Sequence, residues 1–144
     1  MAANTNPIYT ISPDVSSNGT TGMATTMTTA TGDYTGVSAN HVLAFTADAT
    51  NGGYVYKIRF QAIGTNTASV ARIYINNGST NTTASNNSFY GQISLPATTA
   101  INTAATVEID YPLNIALNPG FRIYVGLGTT VAAGWVPVVI GGKY

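Results

Sequence analysis

The stretch Tyr54-Val55-Tyr56-Lys57-Ile58-Arg59-Phe60-Gln61-Ala62 decides the fold class of this 144-residue chain. Tyr56, Ile58, Phe60 and Ala62 are apolar, and Lys57, Arg59 and Gln61 between them are polar. Alternation with a period of two places successive side chains on opposite faces of a strand, one face dry and the other wet. The same rhythm sets Ala71, Ile73 and Ile75 against Arg72 and Tyr74, and Val107, Ile109 and Tyr111 against Glu108 and Asp110. It returns a fourth time, with Phe121, Ile123, Val125 and Leu127 against Arg122 and Tyr124. Residues 41–47, 88–95 and 135–140 are further strand candidates.

Working outward, no stretch after residue 40 sustains apolar positions at helical spacing, because Gly or Pro interrupts each candidate. Asn76-Asn77-Gly78 supplies the positive φ of a tight turn, and Leu117-Asn118-Pro119-Gly120 suits a type II turn. Pro112 and Pro137 belong at edges or bends. Seven or eight short strands separated by turns predict an all-β, antiparallel two-sheet sandwich of jelly-roll type. Residues 1–40, rich in Thr, Ser, Asn and Gly, read as an extended polar N-terminal arm with the first strands, and residues 41–144 as the sandwich body. The arm's few large apolar side chains, Ile8, Tyr9, Ile11, Met23, Met27 and Tyr34, are candidate interface residues.

Hydrophobic residues make up 44% of the chain, enough for a core, but charged residues only 7%, against about a quarter in an ordinary soluble domain. Five basic residues balance five acidic ones. A neutral, weakly charged chain lacks the long-range field of a nucleic-acid binder and little opposes contact between copies. With no cysteine there is no disulfide framework and no thiolate chemistry. The N-terminal residues lack the basic and apolar regions of a secretory signal, and no apolar run reaches membrane-spanning length, so synthesis in a cytoplasm is expected.

Candidate chemistry is sparse. His41 is the sole histidine, without a second His, a Cys or a nucleophile motif around it, so a loop or surface histidine is the simpler reading. Glu108 and Asp110 lie on one strand face and could serve a glycosidase or hold Ca²⁺, but a cross-strand pair with Arg122 on the next strand explains them. Lys57, Arg59, Arg72 and Arg122 would make a modest basic patch if their strands were neighbours, or else simply a solvated face. Of the aromatic residues, Tyr56, Tyr111 and Trp135 suit the core, whereas Tyr54, Tyr74, Tyr90 and Tyr124 suit a surface for protein or sugar. The protein-interface candidates on the strands are thus Arg59, Arg72, Tyr74, Tyr90, Arg122 and Tyr124; no catalytic, cofactor or metal residue is singled out. The Asn-x-Ser/Thr sequons at Asn18, Asn77, Asn81 and Asn86 arise by chance in so Asn- and Thr-rich a chain.

From Phe60 onward the chain resembles small virion structural proteins of tailed bacteriophages, of the head-decoration or cement type. The resemblance is carried by Ile63-Gly64-Thr65-Asn66, Arg72-Ile73-Tyr74-Ile75-Asn76-Asn77-Gly78, Leu95-Pro96-Ala97-Thr98-Thr99 and Tyr111-Pro112-Leu113-Asn114. It continues through Leu117-Asn118-Pro119-Gly120, Gly128-Thr129-Thr130, Gly134-Trp135 and Gly141-Gly142-Lys143-Tyr144. The resemblance implies a non-enzymatic homotrimer on the capsid surface, with the major capsid protein as partner and no cofactor. A tail- or fibre-associated module that binds host glycans is the alternative, and a glycosidase using Glu108 and Asp110 a third.

Overall fold

A computed structural model describes the backbone of residues 12–16 and the whole of residues 25–144. Eight strands follow in order: β1 (Ser12–Ser16), β2 (Val42–Thr46), β3 (Gly53–Ala62), β4 (Ser69–Asn76), β5 (Asn87–Leu95), β6 (Glu108–Leu117), β7 (Arg122–Leu127) and β8 (Trp135–Lys143). They form two antiparallel sheets, β1-β8-β3-β6 and β2-β7-β4-β5. Consecutive strands alternate between the sheets except for the β4–β5 pair, giving the eight-stranded double-Greek-key arrangement of a jelly roll. The expected all-β two-sheet sandwich is what the chain forms.

The alternating residues build the core. Ile58, Phe60 and Ala62 of β3 face Ala71 and Ile73 of β4 and Ile123, Val125 and Leu127 of β7 in one cluster, with Phe45, Leu95, Val139 and Trp135. Each large aliphatic or aromatic side chain so buried contributes about 1.5–3 kcal/mol of transfer free energy. The alternation breaks at one point. Between Val55 and Lys57 the register of β3 shifts against both β6 and β8, and the bulge turns the phase. Val55 therefore points into the core, while Tyr56, expected there, stands on the surface.

Turn chemistry follows the sequence at β6–β7, where Gly120 has φ +74° and the Phe121 N–H donates to the Asn118 carbonyl at 3.1 Å. At β4–β5 Gly78 takes the expected positive φ, +91°, but within a longer loop that holds a single 3₁₀ turn, Ala84–Asn86, rather than a tight turn. At one end of the sandwich a buried polar cluster ties three connections together. Asn66 and Thr98 exchange backbone hydrogen bonds. The Asn66 Oδ1 accepts from the N–H groups of Ala133 and Gly134, and its Nδ2 donates to the Gly64 and Gly134 carbonyls.

The described part of residues 1–40 belongs to the sandwich. β1 completes one sheet beside β8. Met27 forms a bridge with Trp135 and is buried, and Ala30 forms another with Leu127.

Candidate interaction surface

Three features of the exterior bear on function. The first is an ionic cluster on the outer face of the β1-β8-β3-β6 sheet. Arg59 of β3 stands opposite Asp110 of β6, and its Nε and Nη2 donate to the two carboxylate oxygens at 2.8 and 3.2 Å. Lys57 also pairs with Asp110, and Arg59 reaches Glu108 at 3.4 Å. These cations hold the Asp110 carboxyl well below the ordinary carboxylate range, Arg59 foremost. The members are substantially solvated, so the pairs add little to stability. The partner of the acidic pair is thus β3, not Arg122 as the sequence suggested. β6 and β7 are adjacent in sequence but lie in different sheets.

The second is a strap, residues 31–41, laid over the outer face of the other sheet. Thr31 is anchored on Leu127, its N–H and hydroxyl both donating to that carbonyl. Beneath the strap lie Arg72 and Tyr74 of β4. The Tyr74 hydroxyl and one Arg72 nitrogen donate to the Asp33 carbonyl, at 2.8 and 3.4 Å, and the Arg72 guanidinium stacks 4.4 Å from the Tyr34 ring centre. His41 closes the strap with its ring 4.7 Å from that of Tyr74. It rests on Gly126 of β7, where an added Cβ would stand 2.5 Å from the imidazole Cδ2, so only glycine leaves room. Burial pushes the His41 pKa below its ordinary value, against an opposing pull from the Gly36 carbonyl and Asp33.

The strap corrects several expectations. His41 lies on the connection before β2, as a loop histidine would, but it is buried rather than on the surface. Tyr74 is fully buried and Arg72 nearly so, although both lie on the polar side of their strand; Tyr124 of β7 is buried as well. Lys57 and Arg59 lie on one sheet and Arg72 and Arg122 on the other, so the four do not form a basic patch. Arg122 is half-buried and donates to the Ser79 carbonyl at 3.2 Å. Of the arm candidates, Met27 is core and Tyr34 is exposed, while Ile8, Tyr9, Ile11 and Met23 lie outside the described residues.

The third feature is an apolar rim along β5. Among the described residues the large exposed hydrophobics are Tyr34, Tyr56, Ile63, Phe89, Tyr90, Ile101 and Val107. Phe89 and Tyr90 are on β5, Ile101 and Val107 on the connection that follows it, and Tyr34 packs edge-on against Phe89 at 5.1 Å. The sequence pointed to Tyr90 but not to Phe89, which stands on the outer face beside Tyr74 and Tyr34.

Among the described residues no group of three or more His, Cys, Asp or Glu side chains could hold a metal ion, and no helix is long and apolar enough to cross a membrane. A depression of about 280 Å³ between Ser69, Val70, Arg72 and Gly128 opens widely to solvent. No family model matches the chain, and neither a curated protein nor a solved structure matches it.

Proposed function

We propose that this protein is a non-enzymatic structural component of a bacteriophage virion that binds the outside of the capsid, with the major capsid protein as its partner, and stabilises the lattice. The observation that carries the reading is the pairing of a rigid jelly roll with an exterior of few charges. Lys57, Arg59, Glu108 and Asp110 neutralise one another in a single cluster, while exposed aromatic side chains gather along β5. A surface of that kind suits burial against protein, where aromatic residues are favoured and charges are depleted. A protein that binds only the assembled shell stabilises it by its binding free energy, multiplied over many sites. What supports the shell as partner is the likeness read from the sequence of residues 60–144 to head-decoration proteins. The test is to add purified protein to shells that lack it; their disruption temperature rises on addition. Shells that withstand heat and osmotic shock equally well without the protein would refute the proposal.

Tyr34 and Phe89 also support a second reading, a tail- or fibre-associated module that stacks host sugars on exposed rings. Glycan-array binding that disappears on Tyr34→Ala would favour it, and labelling of particles confined to the shell would exclude it.

A further inference from the structure

Among the described residues, the four strands at the sheet margins are not protected alike. An edge strand directs the N–H and C=O groups of alternate residues away from its sheet, and proteins guard such rows with prolines, charges, irregularity or shortness. β1 carries Pro13 and Asp14, and β6 carries Glu108, Asp110 and Pro112 as well as the register shift opposite Tyr56. β2 is five residues long and is broken by a shift between Leu43 and Phe45. β5 spans nine residues with no charge and no proline, and beyond its own irregularity at Tyr90 the run Gly91–Leu95 is in regular register with β4.

We infer that β5 is a self-association edge, at which Gly91–Leu95 pairs antiparallel with the same run of a second copy about a twofold axis at Ile93. The occupant follows from charge and side-chain placement. In an isologous contact each residue meets itself or a near neighbour, so any charge on the strand would face its like. Gly91–Leu95 carries none. Centring the pair on Ile93 sets Gln92 of one copy opposite Ser94 of the other, a polar match between two exposed residues. The exposed Phe89 and Tyr90 lie on this strand and supply apolar area for a contact along this margin. Joining two β5 edges extends the β2-β7-β4-β5 sheet into one of eight strands. The contact does not depend on any shell, and a twofold dimer departs from the homotrimer that the resemblance implies.

The register gives the test. The double variant Gln92→Lys/Ser94→Lys places lysines opposite lysines across the axis, and Gln92→Glu/Ser94→Glu places glutamates opposite glutamates; like charges directly opposite one another are destabilising. Gln92 also stands opposite Arg72 within the monomer, so the Glu form keeps a favourable neighbour if the Lys form folds poorly. By sedimentation equilibrium the unmodified chain is a dimer, each charged form associates roughly tenfold or more weakly, and an equimolar mixture of the two recovers the dimer. A chain that stays monomeric at about 100 μM, in the range where weak self-association is seen, would overturn the inference. So would a Glu form that associates as the parent does, a mixture that fails to associate, or a trimer indifferent to these substitutions.

Discussion

Replacing Asn66 with Ala removes the side chain that ties the β3–β4, β5–β6 and β7–β8 connections together. Its Oδ1 accepts from Gly134 N at 2.7 Å and Ala133 N at 3.0 Å, and its Nδ2 donates to Gly134 O at 3.1 Å, the Thr98 hydroxyl at 3.2 Å and Gly64 O at 3.3 Å. The two carbonyls keep other partners, the Ile63 N–H and the Thr98 hydroxyl respectively. The two N–H groups lose theirs. Gly134 is buried, so its orphaned N–H incurs the full desolvation cost of about 1–3 kcal/mol, and half-buried Ala133 a smaller one. The expected loss is about 3 kcal/mol, or roughly 10 °C in Tm for a domain of this size. Asn66→Asp separates the contributions, because it keeps the acceptor for both N–H groups but turns a carboxylate oxygen toward two carbonyls. It is destabilised at neutral pH and partly recovers in acid, when the carboxyl is protonated and can donate again. Urea unfolding followed by fluorescence of Trp135, the single and fully buried tryptophan, measures both. A loss below about 1 kcal/mol for Asn66→Ala, within the range of an ordinary surface change, would show that the three connections are held by something else.

His41 and its seat give two more outcomes. Its folded-state pKa lies below the ordinary 6.5, so the unfolded chain takes up the proton first as the pH falls. The strap's contribution is full above about pH 6.5 and declines as the pH drops through the depressed value, with Asp33, Arg72 and Tyr74 as the surrounding titratable or charged groups. His41→Gln should flatten the slope of urea stability between pH 7 and 5, and an unchanged slope would contradict this assignment. Gly126→Ala drives a methyl into the imidazole and the Thr31 hydroxyl. It is expected to cost about 1–3 kcal/mol, and proteolysis should then cut within residues 31–41; an uncut strap of parental stability would refute that reading.

The sequence is most informative where structure is local. Ile58, Phe60, Ile73, Ile123 and Val125 announce their burial by alternation, and Pro119-Gly120 announces its turn. Tyr56 misleads because a bulge is defined by register between strands, which no single strand records. Tyr74 and Arg72 do lie on the outer face, as their positions suggest, but they are buried because residues 31–41, remote in sequence, cross above them. From sequence alone Arg122 is the natural partner of Asp110, because consecutive strands are usually neighbours. The actual partner, Arg59, lies 51 residues away and becomes visible only once β3 and β6 are known to pair. That β5 lies at a margin is likewise visible only in the strand order of the described residues.

The strand order also governs the time at which the molecule can form. β8, the last of the eight strands to be synthesised, is inserted between β1 and β3. Until residues 135–143 have left the ribosome, β1 has no hydrogen-bonding neighbour and β3 has only β6. A nascent chain therefore cannot complete the β1-β8-β3-β6 sheet before then, and every pairing except the β4–β5 hairpin must close a long loop before it is rewarded, which makes folding slow for a domain of this length. In a cell making many copies at once, uncharged β5 is synthesised well before the strands that complete the molecule, so the interval between translation and closure is the one in which chaperones matter most.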